Sequence, residues 1–133
     1  MEPAPITASP ATFVKEASAP LCLLFLVDTG ISKKRVEEGL KALDIKGEEL
    51  SGILITHEHI DHISGIGVLS RKYDVPIYAT SGTIAGISTT RSVGDIDGQL
   101  YQVIHKNENI TVGGLLIKAV PISHDAADPV CYT

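Results

Sequence analysis

Cysteine, basic side chains and long apolar runs are all scarce in this sequence. The two cysteines, Cys22 and Cys131, lie near opposite ends without Cys-x-x-Cys spacing, which argues against a disulfide framework and favours reduced thiols. The apolar run over residues 21–27 is too short to span a membrane, since a spanning helix needs about 20 residues. The segment before that run lacks the basic start and cleavage pattern of a secretory signal. We therefore expect a cytoplasmic protein without membrane contact.

Basic residues number 11 against 16 acidic ones, which gives a formal net charge of -5. The chain therefore has no broad cationic face, and charge alone does not predict extensive electrostatic binding to nucleic acid. A metal site that binds a single phosphate group does not need a broad cationic face. The length of 133 residues, with 44% hydrophobic and 20% charged residues, predicts one soluble globular domain with a real core.

The first 20 residues differ from the rest of the chain. They contain Pro3, Pro5, Pro10 and Pro20 among many Ala, Ser and Thr residues and show no apolar periodicity. This composition predicts a loop or disorder. We therefore divide the chain into a divergent or disordered leader, residues 1–20, and one domain portion, residues 21–133.

The domain portion predicts alternating strands and helices. A buried strand over residues 21–27 ends in a turn at Asp28, and a helix capped by Ser32 leads to a strand over residues 52–56. This βαβ unit predicts parallel strands and an α/β fold. The further predicted elements are a helix over 62–73, a strand over 76–79, a helix over 81–87 capped by Ser81, a polar mobile stretch over 91–98, strands near 101–105 and 110–112, and a strand over 115–122 reached through a Gly113-Gly114 hairpin.

A cluster of potential metal ligands directly follows the strand over residues 52–56. His57, His59, Asp61 and His62 include three of the five histidines in the chain. From extended backbone, His57 and His59 point to the same side, which suits two imidazoles on one metal ion. In a tight loop, Asp61 and His62 can both reach a second ion roughly 3.5–4 Å away. Imidazole and carboxylate together favour zinc, manganese or iron.

Another histidine, His124, also follows a predicted strand. Strand ends at one sheet edge can bring it to the same metal ions, although a His-Asp pair in a loop is weak support by itself. His105 lies in an alternating strand without a nearby partner ligand, and we interpret it as structural. Asp28 has a simple interpretation as the residue that turns the chain at the end of its strand.

Residues 56–62 (THEHIDH), 65–79 and 121–130 together resemble the metallo-β-lactamase fold superfamily, and most closely its bacterial YycJ/VicX/WalJ subgroup. The resemblance runs from about residue 26 to the last residue. It implies the four-layer αββα sandwich of that superfamily. Members of full length are longer than this chain, and their second half supplies a bridging aspartate and a final histidine. We therefore expect the amino-terminal portion, the first half of the sandwich, with an uncovered sheet face that favours self-association.

The resemblance also assigns roles in a site with two divalent metal ions, zinc or manganese or iron. It implies that His57, His59 and His124 hold one ion, and that Asp61 and His62 hold the second. Asp61 would in addition orient the nucleophilic water. Asp28 would be a carboxylate that hydrogen-bonds into the histidine loop and fixes its geometry.

The activity that the resemblance implies is a metal-dependent nuclease, a 5'-to-3' exonuclease on double-stranded DNA that attacks with a metal-bound hydroxide. Residue spacing by itself indicates only metal-dependent hydrolysis. Two alternatives stay open: a metallohydrolase of thioesters or lactams on the same fold, and a catalytically incompetent fragment that only binds metal.

Overall fold

A computed structural model describes residues 12–16, 23–30, 33–42, 50–58, 60–112, 115–122 and 130–132. For residues 12–16, 23–24, 33, 60–61, 115 and 131 it describes the backbone only. Helices and strands alternate along most of this part of the chain, and the predicted α/β fold class is confirmed.

The strands form two sheets. The larger sheet has the order β1 (Thr12–Glu16), β2 (Leu23–Val27), β3 (Gly52–Leu54), β4 (Ile77–Ala79) and β5 (Tyr101–Val103). Strand β1 runs antiparallel to β2, and the other neighbours run parallel. The smaller sheet is antiparallel, with the order β6 (Asn109–Val112), β7 (Leu115–Pro121) and β8 (Val130–Tyr132). The helices are α1 (Lys33–Ala42), α2 (Ile60–Ile63), α3 (Ile66–Tyr73) and α4 (Ser81–Ser88), with short 3-10 turns at Arg91–Val93 and Gly98–Leu100.

The central strands β2 and β3 of the larger sheet are buried on both faces. Successive side chains of a strand point to opposite faces, and Leu26 and Ile53 contribute to a core shared with the helices. Phe25 and Leu54 contribute to a second core, shared with the smaller sheet. On the helix side, Val36 and Leu40 lie one turn apart in α1, and both are buried. Three packed layers result: helices, larger sheet and smaller sheet.

The prediction for residues 1–20 is wrong in one segment. Thr12–Glu16 form strand β1, with Thr12 opposite Val27 and Glu16 opposite Leu23. This segment contains no proline, and Thr, Phe and Val favour strands. The backbone of β2 supplies hydrogen-bond partners for this segment. The proline content of the first 20 residues gives no information about that pairing. The rest of the predicted leader lies outside the described residues.

The single helix predicted over residues 62–73 is two helices, α2 and α3. The break has a physical cause, because the Gly65 N–H donates to the Thr29 carbonyl at 2.7 Å. The chain is thereby tied to the turn after β2. The cap of α4 also differs from the prediction, since Thr80 rather than Ser81 precedes the helix and accepts the Thr83 N–H.

The stretch over residues 91–98, predicted to be polar and mobile, contains an anchored segment. Val93 is buried, and the Arg71 guanidinium donates to the carbonyls of Val93 and Asp95 at 3.2 and 2.8 Å. The prediction missed this because it weighed the polar composition and not the single buried valine.

No helix among the described residues is long and apolar enough to cross a bilayer. Two large apolar side chains on strands are more than half exposed: Val103 at 53% and Leu116 at 59%. Self-association through an uncovered sheet face stays a prediction.

Tyr132 of the smaller sheet forms a hydrogen bond to the segment that follows strand β3 of the larger sheet. Its buried hydroxyl donates to the Ile55 carbonyl at 2.5 Å and lies 3.4 Å from the Tyr78 carbonyl. We expect Tyr132→Phe to lower the free energy of unfolding by about 1–2 kcal/mol, because a buried carbonyl loses its donor. Urea denaturation measures this change. Tyr78→Phe is the control, since no hydrogen bond joins its hydroxyl to any residue described here. Equal losses in both variants would contradict the assignment.

Candidate metal centre

The candidate site lies at the carboxyl ends of two neighbouring parallel strands. Asp28 directly follows β2, and the segment Thr56-His57 follows β3 after Ile55. His62 comes from helix α2, just beyond that segment. In an α/β sheet these strand ends converge on one edge, which is where such proteins place their chemistry.

Asp28 connects the two strand ends. Its carboxylate is fully buried, and its backbone adopts the left-handed conformation at φ 62° that Asp and Asn tolerate best among residues with a side chain. One oxygen, Oδ1, accepts the Thr56 N–H at 2.8 Å. The other, Oδ2, lies 2.8 Å from Thr56 Oγ1 and 2.7 Å from His62 Nδ1. One carboxylate therefore serves both strand ends.

Two opposing effects act on the protonation of the Asp28 carboxyl. Burial raises the pKa of the Asp28 carboxyl above its ordinary value, and the hydrogen bonds from Thr56 and His62 oppose that rise. A bound cation beside His62 would favour the ionised carboxylate.

The rings of His57 and His62 lie side by side. Their centroids are 4.1 Å apart, with 47° between the ring planes. Each ring has its Nδ1 in a polar contact, His62 with Asp28 at 2.7 Å and His57 with Thr56 Oγ1 at 2.8 Å. A histidine whose Nδ1–H is engaged presents Nε2 as a metal ligand. The two rings therefore fit a divalent metal ion as ligand donors.

The turn after β2 holds helix α2 against the site. The Thr29 N–H donates to the His62 carbonyl at 2.6 Å, and the Thr29 carbonyl accepts the Gly65 N–H at 2.7 Å. Both ends of the short connection between His62 and Gly65 are thus tied to one residue. This pairing fixes where the His62 side chain leaves the backbone.

The side chain of Glu58, which lies between two of the predicted ligands in sequence, packs against Gly86 of α4. A Cβ added at Gly86 would lie 2.8 Å from the Glu58 Cβ and would collide with its Cγ. Only glycine therefore lets α4 approach the ligand segment this closely.

The structure brings together three of the predicted site residues: Asp28, His57 and His62. His59 and His124 lie outside the described residues, and Asp61 is described only as part of the α2 backbone. Within the described part of the chain, no three His, Cys, Asp or Glu side chains form a group that could hold a metal ion. The roles of these residues as ligands stay predictions.

The loop that contains His124 is described at both ends. Before it, Pro121 pairs with Val130 across β7 and β8. After it, the Val130 N–H donates to the Thr56 carbonyl at 2.9 Å, next to His57 in sequence. His105, by contrast, lies exposed beyond the end of β5.

Thr56 is the site residue that sequence reasoning missed. It is buried, and it contacts both Asp28 and His57 through its hydroxyl. The available signal was its position directly before the histidine cluster. It was predicted as the last residue of a strand and the first of the motif over residues 56–62, without a role in the site.

Comparison with known proteins gives consistent matches. The model of the family described as "Metallo-beta-lactamase superfamily" matches residues 23–133. The "Exodeoxyribonuclease WalJ" of Streptococcus pneumoniae serotype 2 (strain D39) is 38% identical over 107 residues, and the "Exodeoxyribonuclease YycJ" of Bacillus anthracis is 39% identical over 107 residues. Each alignment covers 80% of this chain and 40% of the relative. The chain thus spans less than half the length of these relatives.

More distant matches carry other names. The "Hydroxyacylglutathione hydrolase" of Nitrobacter winogradskyi is 33% identical over 105 residues, which cover 77% of this chain and 36% of that protein. Among solved structures, the "Rm3 metallo-beta-lactamase" aligns with a TM-score of 0.73 at 18% identity, covering 87% of this chain and 47% of that one. At this identity the structural match shows the fold alone.

Proposed function

This chain belongs to the metallo-beta-lactamase superfamily, and we propose that it supplies the metal centre of a nuclease that hydrolyses the phosphodiester bonds of double-stranded DNA from the 5' end. The names of the two exodeoxyribonuclease relatives support this choice of substrate over thioesters and lactams. The proposed location of the protein is the cytoplasm, where it would act on DNA.

The observation that carries the proposal is the pair of adjacent imidazoles at the carboxyl edge of the sheet. Their centroids lie 4.1 Å apart, and a single buried carboxylate contacts His62 directly and His57 through Thr56. Neutral imidazoles oriented in this way are ligands of zinc, manganese and iron.

The proposed ligand set is the one that the family resemblance implies. His57, His59 and His124 would hold one ion, and Asp61 with His62 would hold the second. The described end of the loop that contains His124 supports the assignment of His124 as a ligand, since the Val130 N–H donates a hydrogen bond to the Thr56 carbonyl, next to His57 in sequence. When bound, divalent ions would lower the pKa of a water molecule toward neutrality and polarise the phosphodiester bond. Asp61 orients the attacking water, and Asp28 holds His62 through its Nδ1.

Hydrolysis of duplex DNA labelled at one 5' end tests the proposal. With Mn²⁺ or Zn²⁺, we expect the chain to release labelled nucleotides, and His57→Ala to lower the rate by at least about 100-fold because a ligand is lost. His105→Ala is the matched control, since that side chain is exposed and lies outside the site. It should leave the rate unchanged.

The same assay includes an S-acyl thioester and a β-lactam as substrates. Turnover of either one without DNA cleavage would replace the nuclease with the alternative metallohydrolase. Bound metal without turnover of any substrate would favour a catalytically incompetent chain. Each of these outcomes would contradict the proposed activity of these 133 residues.

A further inference from the structure

Thr56 lies at the junction between the buried carboxylate and the first histidine of the cluster. Its hydroxyl oxygen is 2.8 Å from Asp28 Oδ2 and 2.8 Å from His57 Nδ1. Its backbone is held on both sides, because its N–H donates to Asp28 Oδ1 and its carbonyl accepts the Val130 N–H. The hydroxyl therefore bridges Asp28 and His57 from a fixed position.

The chemistry of the three groups sets the direction of these hydrogen bonds. An ionised carboxylate only accepts, so the single proton of the Thr56 hydroxyl points to Asp28 Oδ2. The hydroxyl oxygen is then left as an acceptor toward His57. A neutral His57 must place its proton on Nδ1 to complete the contact at 2.8 Å. Its Nε2 is then the nitrogen that carries the lone pair of the ring.

We infer that Thr56 is a positioning residue. Its hydroxyl donates to Asp28 and accepts from His57, and it thereby fixes the tautomer in which His57 can bind metal through Nε2. Asp28 sets His62 by direct contact and His57 through the Thr56 hydroxyl. One carboxylate thus prepares both histidines before any metal arrives. The inference rests on the proposed metal centre, and it adds a residue that acts through a ligand rather than on the metal or the substrate.

The competing explanation is that Thr56 only closes the strand. Two substitutions separate the explanations. Thr56→Val keeps the branched shape and removes the hydroxyl, whereas Thr56→Ser keeps the hydroxyl and removes one methyl group. If the role of Thr56 is merely structural, the variant that keeps the branched shape, Thr56→Val, should behave like the parent chain. If Thr56 positions His57, the variant that keeps the hydroxyl, Thr56→Ser, should do so.

Nitrogen-15 NMR of the histidine rings in the metal-free chain gives a readout that does not depend on activity. At pH 8, above the ordinary histidine pKa of about 6.5, we expect the parent chain and Thr56→Ser to hold His57 as the Nδ1–H tautomer. In Thr56→Val, His57 should shift toward the Nε2–H tautomer. Its zinc Kd, measured against a chromophoric chelator, should rise about tenfold and return to the parent value in Thr56→Ser.

Two results would overturn the inference: a parent chain with His57 in the Nε2–H tautomer, or Thr56→Val with the Nδ1–H tautomer unchanged. If Thr56→Val does not fold, the parent spectrum decides. The inference and the proposed function also fail separately. A tautomer that depends on Thr56 in a chain that binds no zinc would uphold the inference and remove the metal centre. Zinc binding with a tautomer independent of Thr56 would do the opposite.

Discussion

Replacing Asp28 by asparagine is expected to raise the zinc Kd of the chain by about 100-fold. Asparagine has the same shape and also tolerates the φ of 62° at this position. Its amide, however, has only one oxygen. If that oxygen accepts the Thr56 N–H, the NH₂ group faces Thr56 Oγ1 and His62 Nδ1, where Oδ2 now accepts. Both partners must then accept, which favours the wrong tautomer of His62 and turns the Thr56 hydroxyl toward His57.

A competition titration with a chromophoric chelator measures this loss, with circular dichroism to verify folding. Asp74→Asn is the matched control, because Asp74 also has a left-handed backbone, at φ 51°, but caps α3 at an exposed position. Its zinc Kd should equal that of the parent chain. An unchanged Kd in Asp28→Asn would show that the carboxylate does not orient the histidines.

Replacing Gly67 by alanine is expected to lower the free energy of unfolding by about 3 kcal/mol. Gly67 lies in the first turn of α3, and an added Cβ would collide with the backbone carbonyl of Val93. That carbonyl also accepts from the Arg71 guanidinium, so it cannot withdraw without losing a hydrogen bond. The better helix propensity of alanine, about 1 kcal/mol, does not offset the collision.

Urea denaturation of Gly67→Ala beside Gly98→Ala provides the test. Gly98 is exposed, and nothing lies within 4 Å of a Cβ added there. Alanine at position 98 should therefore leave the midpoint of unfolding close to that of the parent. Similar midpoints for the two variants would contradict the close approach of α3 to the Arg91–Val93 turn.

The parallel core of the fold was predictable because its signals are local. The apolar runs that became β2 and β3 are short and bounded by turn residues, and the helical spacing of Val36 and Leu40 matches their burial. The two-residue connection between β6 and β7 likewise follows from Gly113-Gly114.

The features that were missed depend on distant partners. Strand β1 pairs with β2, but its own sequence is a five-residue segment in which only Phe13 and Val14 are apolar, in proline-rich surroundings. The break between α2 and α3 depends on the Thr29 carbonyl, which lies more than 30 residues away in sequence. Composition and periodicity contain no information about such pairings.

The candidate site also has features that the sequence predicts and features that depend on distant partners. The spacing of His57, His59, Asp61 and His62 predicts a metal site from sequence alone, and that site stays a prediction. The resemblance implied that Asp28 hydrogen-bonds into the histidine loop, but the fold was needed to identify His62 Nδ1 as its partner at 2.7 Å and to reveal the bridging role of Thr56. These contacts join residues 34 and 28 positions apart in sequence.

Metal content is the measurement that tests the central claim most directly. After equilibration with zinc and desalting, elemental mass spectrometry should find at least about one equivalent of zinc per parent chain. The double variant His57→Ala/His62→Ala should retain little or none, because the two adjacent imidazoles are gone. Equal zinc content in the parent chain and the folded double variant would contradict a metal centre at this edge of the sheet.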